Sequence, residues 1–358
     1  MKTLALTGGG SAGHVVPNLA LLPALREKFR LAYIGTDGIE RELLKNAGVP
    51  FYTIRAAKLV RGSLAKNLFL PFRFARSVRE AKRALKEAGA DALFSKGGYV
   101  ALPAVIAARQ LRLPVLTHES DLTPGLANKI AARLCPAVLT SFPETAKALK
   151  NGRFTGPPLR EELLHGDRAA ARRKYGFAGD TPVLLAFGGG SGSAALNAAL
   201  EGALPRLLSS FRILHIRGKG GGAPREGYLP LPYEKDMAAA YACADLVLAR
   251  AGSNTVFEVL ALKKPALFVP LENRRSRGDQ VQNALYFEER GLCRVLRERD
   301  LSSASLAREL FALQGDAALR RRLAENAVRR GNEAIVAAVC GLFPEGPAAP
   351  SETGQKRG

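Results

Sequence analysis

Two glycine-rich turns carry the residue types best suited to binding a phosphate. The first, TGGGSAGH, follows the apolar run TLAL, and its Gly8, Gly10 and Gly13 spell G-x-G-x-x-G. Backbone N–H groups at the start of the next helix would face an anion placed there. A dinucleotide site would also need an acidic residue about 20 positions later. Asp37 lies close enough to that spacing to leave a nicotinamide or flavin site open.

His14 directly follows the first turn, where a helix is predicted to begin. The positive end of a helix dipole disfavours a protonated imidazole, so we expect this side chain to be neutral and able to accept a proton. The alternative is a residue that only starts the helix and has no chemical role.

The second turn, FGGGSGS at 187–193, also joins an apolar strand to a helix. It offers N–H groups to a diphosphate, unless it is a plain tight turn. Downstream, Glu258 lies inside a predicted helix, where a carboxylate either accepts both hydroxyl protons of a ribose or is simply solvated. Asp279 and Asn283 share a helix face beside Gln280, an arrangement that suits sugar hydroxyls or a polar capping turn.

Two further segments of the first half place polar residues after short predicted strands. These are SKGGYVALPAV at 95–105 and THESDLTPGLANK at 117–129. Gly97 and Gly98 would let the backbone approach a ligand closely. The polar candidates in the two segments are Tyr99, His118, Glu119, Asp121 and Asn128.

Short apolar strands alternate with helical stretches along most of the chain, which is typical of parallel sheets covered on both faces. The two strand–turn–helix units, about 180 residues apart, predict an α/β fold of two Rossmann-like domains facing across a cleft. TGPPLR at 155–160 is the predicted linker. The predicted domains are 1–157 and 158–343, with a last helix able to pack back on the N-terminal domain, and a disordered tail at 344–358.

The composition of the chain limits the classes of protein to which it can belong. The 358 residues carry a net charge of +21, with 47% apolar and 24% charged residues, the balance of a soluble globular protein. No run approaches the roughly 18 to 20 apolar residues of a membrane span, and no signal peptide is evident, which predicts a cytoplasmic protein. The four histidines form no H-E-x-x-H motif, so the sequence gives little support for a metal site.

A basic stretch at 55–86 contains ten Lys or Arg residues and one acid, Glu80. Apolar residues of NLFLPFRF are interleaved with them, a combination that suits an anionic membrane surface. A nucleic acid would need the same charge, but no zinc finger, RNP1-like run or K-homology context accompanies it. The predicted membrane patch consists of Phe69, Phe72, Phe74, Arg73, Arg76 and Arg79.

Together these segments resemble the MurG family of peptidoglycan N-acetylglucosaminyltransferases, in that family's order and over residues 7–284. The resemblance implies a GT-B fold and inverting transfer of GlcNAc from UDP-GlcNAc to undecaprenyl-pyrophosphoryl-MurNAc-pentapeptide. It also implies a peripheral enzyme at the cytoplasmic face of the plasma membrane, with no cofactor, no active-site metal and no nucleic-acid partner. The segments are TGGGSAGHVVPN, SKGGYVALPAV, HESDLTPGLANK, GPPLR, FGGGSGSAALN, RAGSNTVFEVLALKKPALFVP and DQVQNA.

The family pattern assigns the donor to the C-terminal half and the acceptor to the N-terminal half. The implied donor residues are Arg160, Gly190 and Ser191 at the diphosphate, Glu234 at the uracil, Glu258 at the ribose, and Asp279 and Gln280 at the sugar. The implied acceptor residues are Gly9, Gly10, Ser11, Gly13, Tyr99 and Asn128. His14 is the first choice of catalytic base and Asp121 the second.

The sequence departs from the family pattern at two of these positions. Gly190 stands where the family usually has serine, and Ser191 either takes over that contact or does not. Asp121 stands where asparagine is common, which makes it a better base or a variant contact.

The predicted transfer needs a stabilised leaving group, and two alternative functions remain beside it. The chain contains no D-x-D motif, so a departing diphosphate would be met by the second turn and Arg160 rather than by a bridging metal. The first turn is better explained as a cradle for a lipid diphosphate than as a nicotinamide site. A GT-B enzyme acting on a soluble sugar and a basic nucleic-acid-binding protein remain alternatives.

Overall fold

The computed structural model describes residues 1–58, 67–177, 179–190, 192–219, 221–272 and 277–343. Within these ranges the chain forms a seven-stranded and a six-stranded sheet, each parallel throughout. The strands of the first sheet are β1 (Thr3–Thr7), β2 (Arg30–Gly35), β3 (Phe51–Thr53), β4 (Ala92–Ser95), β5 (Val115–Glu119), β6 (Val138–Thr140) and β7 (Gly152–Phe154). Those of the second are β8 (Val183–Phe187), β9 (Arg212–Ile216), β10 (Tyr228–Leu231), β11 (Leu246–Ala249), β12 (Ala266–Phe268) and β13 (Arg294–Val295).

Helices cover both sheets, which is why the central strands read as unbroken apolar runs. In the first half they are α1 (Val16–Arg26), α2 (Ile39–Leu44), α3 (Leu70–Glu87), α4 (Ala101–Gln110), α5 (Leu126–Ala132) and α6 (Pro143–Ala148). In the second half they are α7 (Arg168–Lys174), α8 (Ala194–Leu207), α9 (Met237–Cys243), α10 (Ser253–Ala261), α11 (Asp279–Glu288), α12 (Ser303–Gln314), α13 (Ala317–Glu325) and α14 (Asn332–Cys340). Short 3-10 turns lie at Ala12–His14, Glu161–His165 and Glu298–Asp300.

Strand order decides where a ligand can bind. The first sheet runs β3-β2-β1-β4-β5-β6-β7, and the second runs β10-β9-β8-β11-β12-β13. The order therefore reverses between β1 and β4 in the first sheet and between β8 and β11 in the second. Ligands of such sheets bind in the crevice at the carboxyl ends of the strands at that reversal. Both glycine-rich turns follow a strand at this point, β1 and β8.

The two halves are joined by more than the linker. Ile335, Val336 and Val339 of α14 lie in one apolar cluster with Leu4 and Leu6 of β1. The end of the described chain thus packs on the N-terminal half and ties the two sheets together.

Candidate active site

The carboxyl ends of the two sheets face each other across a cleft. Asn254 Nδ2, in the first turn of α10, donates to the Gly13 carbonyl at 3.0 Å. The Leu122 N–H, in the loop after β5, donates to Asn283 Oδ1 of α11 at 3.0 Å. These contacts bring the first glycine turn and the β5–α5 loop of one half against two helices of the other.

His14 and Tyr99 are brought to the first turn by glycines that have no room for a side chain. Gly98 has φ +81°, and a Cβ on it would lie 2.8 Å from His14 Cδ2. Gly10 has φ +82°, and a Cβ on it would lie 2.3 Å from Tyr99 Cε1. Left-handed backbone and close approach are both permitted by glycine alone at these two positions. The sequence predicted that His14 and Tyr99 belong to one site, and in the structure both side chains lie beside the first glycine-rich turn.

Glu40 lies behind the same turn and was not predicted. Its side chain is buried and accepts hydrogen bonds from the Thr36 N–H at 2.9 Å and the Gly10 N–H at 3.3 Å. The Gly10 amide is therefore directed at a carboxylate and not at the cleft, which differs from its predicted role. The sequence feature that could have indicated Glu40 is an acidic residue at the start of a helix, directly after the GTDG turn.

The surroundings of His14 favour a neutral imidazole. Burial lowers the pKa of His14, Asp121 opposes this effect, and the cations Lys96 and Arg277 lower the pKa further. A partly exposed, uncharged imidazole at the edge of the cleft can take a proton from a substrate hydroxyl.

Asp121 links the two halves instead of standing free as a base. Its carboxylate accepts from Arg277 Nη2 and from Asn283 Nδ2, both at 3.0 Å. Arg277 also lies 3.4 Å from Asp279, so a chain of charges crosses the middle of the cleft. Asp121 is thus engaged in holding the two halves together, and this favours His14 as the base.

Asn128 supports the β5–α5 loop from within. It is buried, and its Nδ2 donates to Glu119 Oε2 at 2.9 Å. Glu119 also accepts from the Asp121 N–H at 2.9 Å and the Gly125 N–H at 3.0 Å. In this arrangement Asn128 positions the loop that carries Asp121, whereas the sequence predicted direct contact with the acceptor.

On the opposite side of the cleft, the second turn opens onto a cavity of about 310 Å³. Arg250 reaches into it and donates to Ser193 Oγ at 2.7 Å and to the Val269 carbonyl at 3.0 Å, and it pairs with Glu298. The lining residues are Gly188, Gly192, Ser193, Ala194, Ala195, Arg250, Leu271, Gln280 and Glu298. The cavity thus joins a helix start, a fixed guanidinium and an amide, which is suitable for a phosphorylated sugar.

Arg250 was missed by the sequence reasoning, although it directly follows the apolar strand β11 at the ligand-binding edge. Gln280 lines the same cavity, and its Oε1 accepts from the Leu271 N–H at 3.0 Å. Its predicted contact with the donor sugar stays a prediction. Among the described residues, no atom lies within 4 Å of where a Cβ on Gly190 would be, so this backbone faces open space. Ser191 lies outside the described residues.

Glu258 and Arg160 form a buried pair. Glu258 Oε1 accepts from Arg160 Nε at 3.1 Å and Nη2 at 3.0 Å, and Oε2 accepts from the Tyr241 hydroxyl at 3.2 Å. Burial raises the pKa of Glu258, while Arg160 and Tyr241 act in the opposite direction. A carboxylate has about four lone-pair sites, so Oε2 keeps a position for a further donor such as a ribose hydroxyl. The structure places Arg160 on Glu258, and its predicted contact with the diphosphate stays a prediction.

Glu234 is fixed in the loop before α9. Its carboxylate accepts from the Asp236 N–H at 2.7 Å and from the Tyr175 hydroxyl at 3.0 Å. Because one oxygen is bound within the loop and the other by Tyr175 at the end of α7, the backbone near Glu234 has a defined course. Its predicted role in reading the uracil edge stays a prediction.

The chain matches two family models over most of its length. The glycosyltransferase family 28 N-terminal domain matches residues 4–140, and the family 28 C-terminal domain matches residues 183–335. The chain belongs to glycosyltransferase family 28.

Curated relatives of this family 28 protein are named UDP-N-acetylglucosamine--N-acetylmuramyl-(pentapeptide) pyrophosphoryl-undecaprenol N-acetylglucosamine transferase. The relative from Lachnospira eligens is 44% identical over 326 residues, which cover 87% of this chain and 92% of that protein. The relative from Clostridium kluyveri is 44% identical over 322 residues, which cover 87% of this chain and 91% of that protein. The resemblance to the MurG family is thereby confirmed.

Solved structures agree with this assignment. MurG of Acinetobacter baumannii is 28% identical, with a TM-score of 0.74 over 95% of this chain and 100% of that chain. The calicheamicin glycosyltransferase CalG4 is 16% identical, with a TM-score of 0.70 over 98% of this chain and 100% of that chain, and it supports the fold alone. The predicted α/β fold with two Rossmann-like domains and the predicted glycosyltransferase class are confirmed.

The predicted membrane patch lies at the start of α3 of this family 28 enzyme. Phe69 and Phe72 are 65% and 75% exposed. Phe74 differs from the prediction, because it is partly buried against the apolar cluster beneath α3. Arg76 pairs with Glu80 at 2.9 Å. No helix among the described residues is long and apolar enough to cross a membrane.

Proposed function

We propose that this glycosyltransferase moves N-acetylglucosamine from UDP-N-acetylglucosamine to a muramyl-pentapeptide that is linked through a diphosphate to undecaprenol. The names of the curated relatives support these two substrates. The observation that carries the proposal is the cleft itself. A neutral His14 lies on one side, and the anion-binding cavity with Arg250 lies on the other.

In the proposed reaction His14 acts as the general base. It takes the proton of the acceptor hydroxyl while the hydroxyl oxygen attacks the anomeric carbon of the donor sugar. The bond from that carbon to the diphosphate oxygen breaks, and UDP leaves with the electron pair. Attack from the side opposite the leaving group inverts the configuration at the anomeric carbon.

The proposed site stabilises the departing diphosphate with the protein's own charges. The N-terminus of α8 follows the second turn and carries unpaired N–H groups and the positive end of the helix dipole. The Arg250 guanidinium is held at the same cavity by Ser193 and Glu298. A fixed cation and fixed dipoles stabilise developing charge without reorganisation, so this arrangement suits a reaction that is independent of a bound metal.

We further propose that the enzyme is peripheral at the cytoplasmic face of the plasma membrane. The proposed acceptor keeps its polyprenyl chain in the bilayer, so the enzyme must approach the membrane surface. Phe69 and Phe72 are exposed next to Arg73 and Arg79, which are exposed on the same helix. Aromatic anchors beside cations bind anionic lipid surfaces by burial and by charge together.

The two rival functions fit the site less well. A nucleic-acid-binding protein would explain the basic charge but not the cavity beside Arg250 and Gln280. A transferase acting on a soluble sugar would use the same cleft, but it would leave the exposed Phe69 and Phe72 without a function.

Release of UDP from UDP-N-acetylglucosamine tests the proposal directly. Purified enzyme should release UDP when a lipid-linked muramyl-pentapeptide is supplied, and the product should gain the mass of one N-acetylglucosamine residue. His14→Gln, which keeps a polar side chain of similar size, should lower the rate by about a hundredfold or more, the scale of general base catalysis. Equal UDP release with a soluble sugar, or none with the lipid-linked acceptor, would contradict the proposal.

A further inference from the structure

Lys96 is a buried cation that the reaction described above does not use. It follows β4, is 1% exposed, and its backbone N–H donates to the Thr7 carbonyl at 2.8 Å. An ammonium that is removed from water needs partners, because an unpaired buried charge is strongly destabilising. The identity of those partners therefore indicates what the charge does.

Two neutral groups hold the Lys96 ammonium in place. Its Nζ lies 2.5 Å from His118 Nδ1 and donates to Ser120 Oγ at 2.9 Å. The other ring nitrogen of His118, Nε2, lies 3.3 Å from the Gly156 carbonyl, which can only accept a hydrogen bond. His118 is therefore protonated at Nε2, and its Nδ1 accepts from the ammonium.

Lys96 and His14 pack against the same glycine of the first turn. A Cβ on Gly8 would lie 2.4 Å from the His14 carbonyl oxygen and 3.0 Å from Lys96 Cβ. From this position the Lys96 ammonium acts on the His14 ring through its charge and lowers the pKa of the imidazole.

The charges around His14 balance when both imidazoles are neutral. Two carboxylates, Glu119 and Asp121, face two cations, Lys96 and Arg277, in this part of the cleft. Removing the Lys96 charge would leave one negative charge in excess in a poorly solvated place. A proton on His14, or on Glu119, whose pKa is raised by burial and by Asp121, would compensate it, and a protonated His14 cannot act as a base.

We propose that Lys96 is a positioning residue for the transfer, whose ammonium balances the Glu119 and Asp121 carboxylates so that His14 is a neutral imidazole when the acceptor arrives. The inference rests on the proposed function, with His14 as its base. Burial lowers the pKa of Lys96 to about 7, against the opposing effect of Glu119 and Asp121. Its charge is therefore present in the acidic range, where His14 would otherwise gain a proton.

The test is the pH dependence of kcat/KM on a water-soluble, short-chain acceptor, because its acidic limb reports the base of the free enzyme. Lys96→Met removes the charge with little change in shape and should move the acidic limb up by about one pH unit. Activity one unit below the wild-type midpoint should then fall by about tenfold. Lys96→Arg keeps a cation and should hold the limb near that of wild type. Ser120→Ala is the matched control, because it removes a contact of Lys96 without changing any charge, and its limb should not move.

Two results would overturn the inference. One is a loss of rate in Lys96→Met that is equal at every pH, since this would mean a packing role alone. The other is a limb in Lys96→Arg that moves as far as in Lys96→Met. NMR titration of the His14 ring in Lys96→Met, assigned with His14→Gln, gives the same answer without requiring turnover. Wild-type UDP release tests the proposed function separately, so an active wild type with an unmoved limb would reject only the role of Lys96.

Discussion

Glu258 allows the donor site to be tested apart from catalysis. Glu258→Gln keeps the length of the side chain and an oxygen that can accept from Arg160, but it removes the negative charge. Hydrogen bonds to a charged group contribute about 1.5–3 kcal/mol. If Oε2 accepts from the ribose, loss of the charge should weaken UDP binding by about 2 kcal/mol, which is about 30-fold in Kd.

Calorimetry with UDP and with 2′-deoxy-UDP separates a contact with the ribose from an indirect effect. Wild type should bind the deoxy compound more weakly than UDP, and in Glu258→Gln this difference should largely disappear. Such coupling is expected only when the missing hydroxyl and the missing charge are partners. Equal weakening of both ligands would mean that Glu258 acts through Arg160 or through the fold, and the predicted ribose contact would be wrong.

Glu309→Gln is a matched control for stability. Glu309 forms a partly buried pair with Arg294 at 2.7 Å in the same half of the chain. Both substitutions break a Glu–Arg pair, so both should lower the midpoint of thermal unfolding. Only Glu258→Gln should change the affinity for UDP, because Glu309 does not line the cleft.

Two further predictions concern the membrane and the leaving group. Phe69→Ser with Phe72→Ser should weaken binding to anionic vesicles at every salt concentration, while the exposed-aromatic control Tyr233→Ser should not. Arg73→Glu with Arg79→Glu should abolish that binding at low salt, since each cation contributes about 1 kcal/mol near such a surface. If this arginine variant still sediments with anionic vesicles as wild type does, the patch is not the docking surface. Activity should survive EDTA, and a complete loss that Mg²⁺ or Mn²⁺ restores would contradict charge stabilisation by α8 and Arg250.

The fold of this enzyme could be predicted because patterns among neighbouring residues specify its elements. Each of the two units consists of an apolar strand, a glycine-rich turn and a helix start, and neighbouring residues specify all three. The two turns contain Gly10 and Gly192, whose φ angles are +82° and +75°. The order of two such units then gives two parallel sheets with ligand sites at corresponding edges. The partial burial of Phe74 was not predicted, because a run of aromatic residues does not reveal which side chain turns inward. Phe69, just before α3, and Phe72, in its first turn, are exposed, whereas Phe74 packs toward the core.

Long-range pairing could not be predicted from the sequence, and Asp121 shows the physical reason. Within its own segment, an aspartate in place of the family's asparagine could be a better base or a variant contact. The structure gives it Arg277, a partner 156 positions away in the other half, at 3.0 Å. A carboxylate there forms an ion pair with Arg277 that an amide could not form, so the aspartate is explained by closure of the cleft. Lys96 follows the same rule, because a lysine after a strand is ordinarily solvated, and only the fold brings the Ser120 hydroxyl, the His118 ring and two carboxylates around it. Charged residues of this cleft acquire their roles from partners that are distant in the sequence and that only the folded chain brings to them.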